Sequence, residues 1–326
     1  MSCGGEASSL LTKQAALLVD QDIRASTHKI YNSRFKIFSD YCVKAGYDPI
    51  NCPVEIVTNF LAMLTDTKRM QYRTVCGYRS AIARYHRGFA GTSLCSAKLI
   101  KRVTKACFNK TPPLPKYSDI WDADKLLGYL ETMYPNSQLS LQDLGFKAVA
   151  LLTVLSLSRS SSLAVLGDTY QELDNFVIIP IIGLEKTGRQ TSFRTQLKLP
   201  SGASHPPLCL SLCLAEYLDR TEQFRLYYER AEEVRPQVMF ISTIKPHQGV
   251  QACTLAKWLL ACMDRAGIST ATYRANSARS AGASAMRSKG MSLTQVLARG
   301  NWSSSTRTFS IFYDRSGVSG NDLYCL

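Results

Sequence analysis

Five side chains of reactive or anion-binding type follow one another in the last two thirds of the chain. Arg159 ends a long apolar segment among serines, and a guanidinium so placed must be paired or must face a ligand. Lys186 lies in a turn rich in Gly and Thr, from which its side chain projects. Arg279 lies in a segment so rich in Ala, Gly and Ser that another backbone or a ligand can approach it closely. Trp302 and Tyr313 complete the order.

Each of these residues, taken alone, also suits a structural role. An arginine such as Arg159 can cap the C-terminus of a helix, and a lysine such as Lys186 is common in hairpins. Tyr313 lies near Phe309 and Phe312, a spacing that is usual for core aromatic residues. It is therefore the ordered combination of two arginines, a lysine, a tryptophan and a tyrosine, behind a basic helical segment, that favours a chemical function.

The segments that carry these residues predict a mainly helical domain with a small β-sheet over residues 119–326. Strands are expected at Phe176–Leu184 and Arg194–Leu199, joined by a tight turn, and Pro180 places the first strand at an edge or a bulge. Helices are expected at 121–134, 141–157, 208–220, 255–266, 277–289, 292–298 and 305–313. The second of these is apolar on nearly all sides, so it should be deeply buried.

The first 111 residues predict a separate all-helical domain. Apolar residues recur at helical spacing in four segments, 27–42, 54–64, 75–89 and 99–107. Three prolines then remove backbone donors and hold the chain extended, so residues 112–118 are expected to form a linker. The predicted organisation is a helical domain of residues 1–111, this linker, and a second domain of residues 119–326 that ends in a short tail.

Basic charge is concentrated in the first of these domains. The formal net charge is +14, and residues 1–115 hold 17 Lys and Arg against 7 Asp and Glu. No acidic residue occurs between Asp66 and Asp119, yet the apolar spacing there is helical, which excludes a disordered basic tail. One side of the 99–107 helix should pack and the other should meet phosphate, and the net positive charge predicts a polyanionic partner, nucleic acid before a membrane surface. The candidate DNA-binding residues are Arg69, Arg73, Arg79, Lys98, Lys101, Arg102 and Lys105.

Composition excludes several functional classes. No run of about 18 uncharged apolar residues occurs, so no membrane span is expected. The eleven cysteines include no C-x-x-C pair and the four histidines have no ligand spacing, so no metal site is expected. No phosphate-binding loop of the G-x-x-x-x-G-K-[ST] type occurs, and no cofactor is expected. The first 23 residues lack a basic n-region, which argues against a secretory signal. The odd number of cysteines, most of them among apolar neighbours, predicts a reducing compartment.

Three stretches of the second domain carry a resemblance to a known family. They read N-S-A-R-S-A-G-A-S-A-M at 276–286, G-N-W at 300–302 and T-F-S-I-F-Y at 308–313. With the order of the five residues above, they make the chain similar to the tyrosine recombinase (phage-integrase) family over nearly its whole length. The amino-acid sequence of these three stretches is most similar to that of recombinases of DIRS-like, Ngaro and Crypton mobile elements. The resemblance implies a helical core-binding domain and a catalytic domain that close around DNA as a clamp.

The resemblance also implies an activity. The protein would be a site-specific recombinase or integrase that cuts and rejoins DNA through a 3′-phosphotyrosine intermediate, without a cofactor. It would integrate or excise a mobile element in the nucleus, acting as a dimer to tetramer on paired sites. The C-terminal tail would dock into a neighbouring protomer or fold back on its own domain, two alternatives that the sequence leaves open.

The catalytic set of the family falls on matching positions of this sequence. Arg159 and Arg279 correspond to the two arginines that hold the phosphate, and Tyr313 corresponds to the nucleophile. Lys186 corresponds to the strand-turn lysine, which can protonate the leaving 5′ oxygen. Trp302 stands at the His-or-Trp position, where its indole N–H can donate to the phosphate or its ring can support the helix of the nucleophile.

Two positions depart from the family pattern. Asn276 stands where His or Lys is usual, and it can donate a hydrogen bond but cannot exchange a proton near pH 7. Ser162 stands where an acidic residue commonly follows the first arginine by three positions. These departures leave open a domesticated DNA-binding protein that keeps the recombinase fold without cutting. A type IB topoisomerase would share the chemistry, but this sequence has no long helical insertion before the tyrosine.

Overall fold

The computed structural model divides into two compact units, Met1–Leu114 and Pro115–Leu326, each of which is described here by itself. The division falls within the proline-rich segment 112–118. The structure describes residues 12–89, 91–114, 116, 117, 119–185, 194–230, 237–303, 309, 310 and 313. Lys186, most of the last predicted helix and the C-terminal tail therefore lie outside the described residues. No helix in the described part of the chain is long and apolar enough to cross a membrane.

The first unit is all-helical, as its apolar spacing predicts. Its core is aromatic, because the ring of Phe60 packs 5.1 Å from Phe38 and 5.8 Å from Tyr78 between centroids. The fourth helix ends at Tyr85, earlier than the apolar spacing indicates, because Phe89 instead forms a two-residue bridge with a neighbouring loop residue. The α-helices in the described part of this unit are α1 (Lys13–Asp20), α2 (Ala25–Lys44), α3 (Val54–Asp66), α4 (Tyr72–Tyr85) and α5 (Lys98–Lys110).

The second unit is mainly helical with one small sheet, which confirms the predicted fold class. Its helices are α6 (Ala123–Thr132), α7 (Leu141–Ser156), α8 (Ser160–Leu163), α9 (Leu210–Arg230), α10 (Ala252–Arg265), α11 (Ser277–Ser288) and α12 (Leu293–Arg299). Every residue of α7 from Leu144 to Val154 is buried, as its apolar character on all sides predicts. This helix is the centre of the unit, since α9, α10 and α11 all pack against it.

The sheet is antiparallel, with strands β1 (Gln171–Leu173), β2 (Phe176–Pro180) and β3 (Gln196–Pro200) in that order. The expectation that Pro180 lies on an edge strand or at a bulge is wrong, because β2 is the central strand and its pairing with β3 is continuous from Phe176 to Pro180. The strand accommodates the proline because β1 pairs only with residues 176–178, so no bond to β1 is lost at position 180. The sequence did not predict β1, whose three residues are all exposed.

One helix is much longer than predicted. The sequence indicates that it ends at Arg220, but α9 continues to Arg230. The predicted end was wrong because the residues beyond Arg220 are largely polar, whereas the structure buries two of them, Thr221 and Arg225. The guanidinium of Arg225 donates to the carbonyl oxygens of Val238 and Met239, at 2.9 and 2.7 Å, and lies 3.4 Å from the carboxylate of Asp168. Because these contacts pair its buried charge, Arg225 can lie on the packed side of α9, and the helix continues past Arg220.

Candidate active site

The second candidate arginine is positioned by close packing between α11 and α7. A side-chain Cβ at Gly282 would lie 2.8 Å from the side chain of Leu157 and 3.2 Å from the carbonyl oxygen of Val154, so only glycine allows this approach. The prediction that the small residues of this segment admit another backbone is therefore confirmed. At the start of α11, the indole of Trp121 donates to the hydroxyl of Ser277 at 2.8 Å, which fixes the turn of helix that carries Arg279.

The guanidinium of Arg279 is buried and only partly satisfied. The residue is 1% exposed. Its Nε atom donates to the carbonyl oxygen of Leu157, a residue in the left-handed conformation at φ 53°, and its Nη2 atom donates to the carbonyl oxygen of Gly300 at 2.9 Å. Its Nη1 atom has no hydrogen-bond partner among the described residues. One buried donor of a charged group is thus left for a ligand.

Arg159 lies close enough to Arg279 for the two positive charges to interact. It is half-buried and directly precedes α8, two residues after Leu157. Burial, and after it the charge of Arg159, lower the pKa of Arg279 to about 9. Two guanidinium groups held together against their repulsion favour an anionic ligand between them.

Tyr313 lies beside both arginines. Its ring centroid is 5.2 Å from the guanidinium of Arg279, and its hydroxyl accepts a hydrogen bond from the Nδ2 atom of Asn276 at 3.5 Å. Burial alone would raise the pKa of this tyrosine, but the hydrogen bond from Asn276 and the charges of Arg279 and Arg159 outweigh burial and lower the pKa. The surroundings of the hydroxyl therefore favour the phenolate, which is the nucleophilic form.

Trp302 fills the space between the second arginine and the tyrosine. Its ring lies 4.3 Å from the guanidinium of Arg279 and 5.0 Å from the ring of Tyr313, and it makes an edge contact with Phe309. The ring also lies directly over Gly300, where a Cβ would come within 1.9 Å of it. Its Nε1 atom is buried and has no partner among the described residues. The tryptophan thus fixes the position of the tyrosine ring by packing.

A buried carboxylate that sequence reasoning missed lies at the same place. Glu185 is 4% exposed, and Arg194 donates to its two oxygens at 2.8 and 3.1 Å. It also accepts hydrogen bonds from Asn301, at 3.4 Å, and from Ser162. Burial raises the pKa of this carboxyl group, but the bonds from Arg194 outweigh burial and the pKa is lowered. The sequence offered no signal for Glu185 except its place directly before Lys186.

The structure brings five of the six candidate catalytic residues together: Arg159, Asn276, Arg279, Trp302 and Tyr313. The sixth, Lys186, lies outside the described residues, together with the predicted tight turn around it. Lys198, the second-strand lysine that could serve in its place, is exposed and lies over the ring of Phe176 at 4.4 Å.

The candidate DNA-binding residues belong to the first unit, and most of them are exposed. In α5 the predicted division into two faces is found, because Ile100, Thr104 and Cys107 are buried. Ala106, an apolar residue of the same helix, is exposed, whereas the polar Thr104 is buried and donates to the carbonyl oxygen of Ile100 at 2.6 Å. Arg79 alone among the candidates is half-buried. The exposed candidates are Arg69, Arg73, Lys98, Lys101, Arg102 and Lys105.

The chain has the fold of the tyrosine recombinases. It is similar to a lambda integrase dimer bound to a COC′ core site, with a TM-score of 0.55, 13% identity and 95% of each chain covered. It is also similar to the XerH site-specific recombinase bound to difH substrate, with a TM-score of 0.58 and 17% identity over 87% of this chain and 74% of that one. For the Tn1549 transposon integrase in complex with circular intermediate DNA, the TM-score is 0.55 at 10% identity, covering 91% and 93%. The amino-acid sequence matches no protein-family model and no curated protein.

Proposed function

We propose that the protein is a DNA strand-transferase that cuts and rejoins duplex DNA through a bond between Tyr313 and the 3′ phosphate of the cut strand. The observation that carries this proposal is the buried Nη1 atom of Arg279, which has no hydrogen-bond partner among the described residues and lies beside a tyrosine whose pKa is lowered. A buried donor without an acceptor is costly unless a ligand supplies one. A phosphodiester supplies the acceptor and also the phosphorus atom that the tyrosine attacks.

In the proposed reaction the oxygen of Tyr313 attacks phosphorus, and the bond between phosphorus and the 5′ oxygen breaks. The phenol proton goes to solvent, because Asn276 donates to the hydroxyl and cannot accept its proton. The 5′ oxygen takes up one proton, which we assign to Lys186. Attack of a 5′ hydroxyl on the phosphotyrosine reverses these steps and rejoins the strand, so each phosphate ester bond broken is replaced by another and no cofactor is consumed.

The two arginines act on the phosphate itself. During the attack, negative charge grows on its two non-bridging oxygens. Arg279 donates to them from Nη1 while its other nitrogens stay bound to the carbonyl oxygens of Leu157 and Gly300, so the group does not have to reorient. Arg159 approaches from the start of α8. Trp302 supports the ring of Tyr313, and its own unpartnered N–H is a second donor for the phosphate.

Duplex DNA is the proposed substrate and two to four copies of the chain are the proposed assembly. The similar structures of lambda integrase and XerH were solved with DNA, the former as a dimer. Four exposed basic residues of α5 support phosphate contacts in this chain, since within the described residues none of them pairs with a carboxylate, whereas Lys110 of the same helix pairs with Asp66; the four are Lys98, Lys101, Arg102 and Lys105. Closure of the two units around the duplex, and docking of the C-terminal tail on a second copy, remain part of the proposal.

The sequence motifs support a narrower proposal about biological role. The stretches N-S-A-R-S-A-G-A-S-A-M and T-F-S-I-F-Y are the basis for assigning the chain to DIRS-like, Ngaro or Crypton elements. On that assignment the protein integrates or excises a mobile element in the nucleus. Finding the gene inside repeated elements whose ends are cut by the protein would support this role, and a single-copy gene without such ends would contradict it.

The experiment that tests the proposed reaction does not need the target sequence. The protein is incubated with a pool of duplexes that have a randomised centre and a nick near it, and DNA that stays attached to protein through denaturation is recovered and sequenced. We expect attachment by the wild type and by Tyr324→Phe, a tyrosine of the tail, but none by Tyr313→Phe. Binding measured by gel shift should be unchanged in Tyr313→Phe, because the ring still packs against Trp302.

Each other outcome selects a different function. Tight binding without attachment by the wild type would show a domesticated DNA-binding protein. Attachment and relaxation of supercoiled plasmid without exchange between two recovered sites would show a topoisomerase. Attachment that survives in Tyr313→Phe and disappears in Tyr324→Phe would move the nucleophile to the tail.

A further inference from the structure

One buried carboxylate joins three separate segments of the candidate active site. Glu185 binds Arg194, on the far side of the segment 186–193, through both of its oxygens. It accepts from Asn301, the residue before Trp302, and from Ser162, in the short helix that follows Arg159. A carboxylate that is 4% exposed and binds three partners is a fixed part of the structure.

We propose that Glu185 is a positioning residue for strand transfer. Next to Ser162, it supplies the negative charge that keeps Arg159, Arg279 and the backbone turn before Trp302 in fixed positions relative to one another. This inference rests on the proposed function. It follows from what stands at position 162, where a serine provides a hydroxyl but no charge. The Ser162 hydroxyl hydrogen-bonds to Glu185, so the carboxylate of Glu185 lies beside position 162 although it belongs to another segment of the chain.

The charges around Arg279 explain why a carboxylate is needed there. Three ionisable groups act on its guanidinium: Arg159, Tyr313 and Glu185. Arg159 lowers the pKa of Arg279, whereas Glu185 raises it and so opposes part of the repulsion between the arginines. Because Arg194 carries the opposite charge at the outer side of the carboxylate, Glu185 remains ionised although it is buried.

The test uses Glu185→Gln, which keeps the shape and one acceptor oxygen but removes the charge. The matched control is Asp168→Asn, in which a carboxylate paired with the buried Arg225 in the same unit is changed in the same way. Both variants are assayed with one duplex recovered from the randomised pool, by the single-turnover rate of covalent attachment from pH about 6 to about 10 and by gel shift for affinity. Thermal unfolding monitors the fold of each variant.

We expect Glu185→Gln to slow attachment about 10-fold or more at neutral pH with little change in affinity. The reason is that the phosphate is still bound but is no longer held in the correct position relative to Tyr313. The fall in rate at alkaline pH should begin at a lower pH than in the wild type, since Arg279 loses its proton more easily without the carboxylate. Asp168→Asn should keep the wild-type pH profile even where it lowers the unfolding temperature.

A second variant separates positioning from folding. Adding Ser162→Asp to Glu185→Gln returns a carboxylate to the same place from the α8 side, and the attachment rate should recover by about 10-fold. A Glu185→Gln rate and pH profile equal to those of the wild type would overturn the inference. A loss of attachment rate that only parallels the fall in unfolding temperature would also overturn it. The same holds if the double variant stays folded but Ser162→Asp does not restore the rate. A wild type that forms no attachment would instead overturn the proposed function.

Discussion

Replacing Arg279 with Met should remove strand transfer at little cost to stability. The pKa of Arg279 is lowered to about 9. Compared with the ordinary pKa of arginine, this corresponds to about 5 kcal/mol of unfavourable free energy for the charged form in the folded protein. The methionine removes that cost but leaves the carbonyl oxygens of Leu157 and Gly300 without a donor. Two unpaired carbonyl groups cost about 2 to 6 kcal/mol, so the two effects nearly cancel.

The control for this prediction is Arg225→Met, in a residue that is also 1% exposed. Arg225 is paired with Asp168 as well as with two carbonyl oxygens. Its removal leaves that carboxylate without its arginine, which costs about 3 to 5 kcal/mol. Unfolding by urea should therefore show a change within about 2 kcal/mol for Arg279→Met and a clearly larger loss for Arg225→Met.

The pH dependence gives a second, independent check. Between pH about 9 and 12.5 the unfolded chain keeps a proton on Arg279 that the folded chain has lost, so the stability contributed by this group rises with pH. The wild type should gain stability relative to Arg279→Met as the pH increases from about 8 to about 10. Bound DNA should stabilise the wild type more than the variant, because its phosphate uses the free donor. A loss above about 4 kcal/mol in Arg279→Met at neutral pH, or one equal to that of Arg225→Met, would refute this reasoning.

Three further changes have separate expected outcomes. Lys186→Ala should be rescued by a substrate with sulfur at the bridging 5′ position, because that leaving group needs no proton, whereas Arg159→Ala should not; equal failure of both would reassign the lysine. Gly300→Ala should displace the Trp302 ring and slow attachment about 100-fold, and an unchanged rate would show that the ring does not position Tyr313. Four basic residues of α5, Lys98, Lys101, Arg102 and Lys105, should be neutralised together. The slope of log DNA affinity against log salt concentration should then become less steep by about 0.9 for each phosphate that the protein no longer neutralises. An unchanged slope would show that this face of α5 contacts only solvent.

Sequence periodicity predicts the elements of this fold well where burial is one-sided or complete. The buried helix α7 and the short helix α12 are found where the sequence places them, the latter to within one residue at each end. The errors occur where tertiary contacts replace local preference. The chain beyond Arg220 remains helical because Asp168, distant in sequence, helps to bury Arg225, and β1 forms through backbone bonds to β2 without a buried side chain.

The site could be predicted by residue type but not by its contacts. The order of two arginines, a tryptophan and a tyrosine singles out groups that the structure brings within reach of each other. The role of Asn276 was visible only as a departure, whereas its bond to the Tyr313 hydroxyl requires coordinates. Glu185 was missed because a glutamate in a charged turn is normally exposed, and only the packing of Arg194, Asn301 and Ser162 around it makes it a buried group.

The tyrosine does not rest on the main core of its unit. Leu157, Ala283, Val296 and Phe309 form a small separate cluster against which Trp302 and Tyr313 pack. A cluster of this size gives up little apolar burial when it separates, so its amide protons should exchange with solvent far faster than those of α7. Phe309 and Tyr313 can therefore separate from this cluster and pack again while the rest of the unit stays folded. Such local melting would let a protein hold its reactive group in reserve until a partner or a bent duplex supplies the missing contacts.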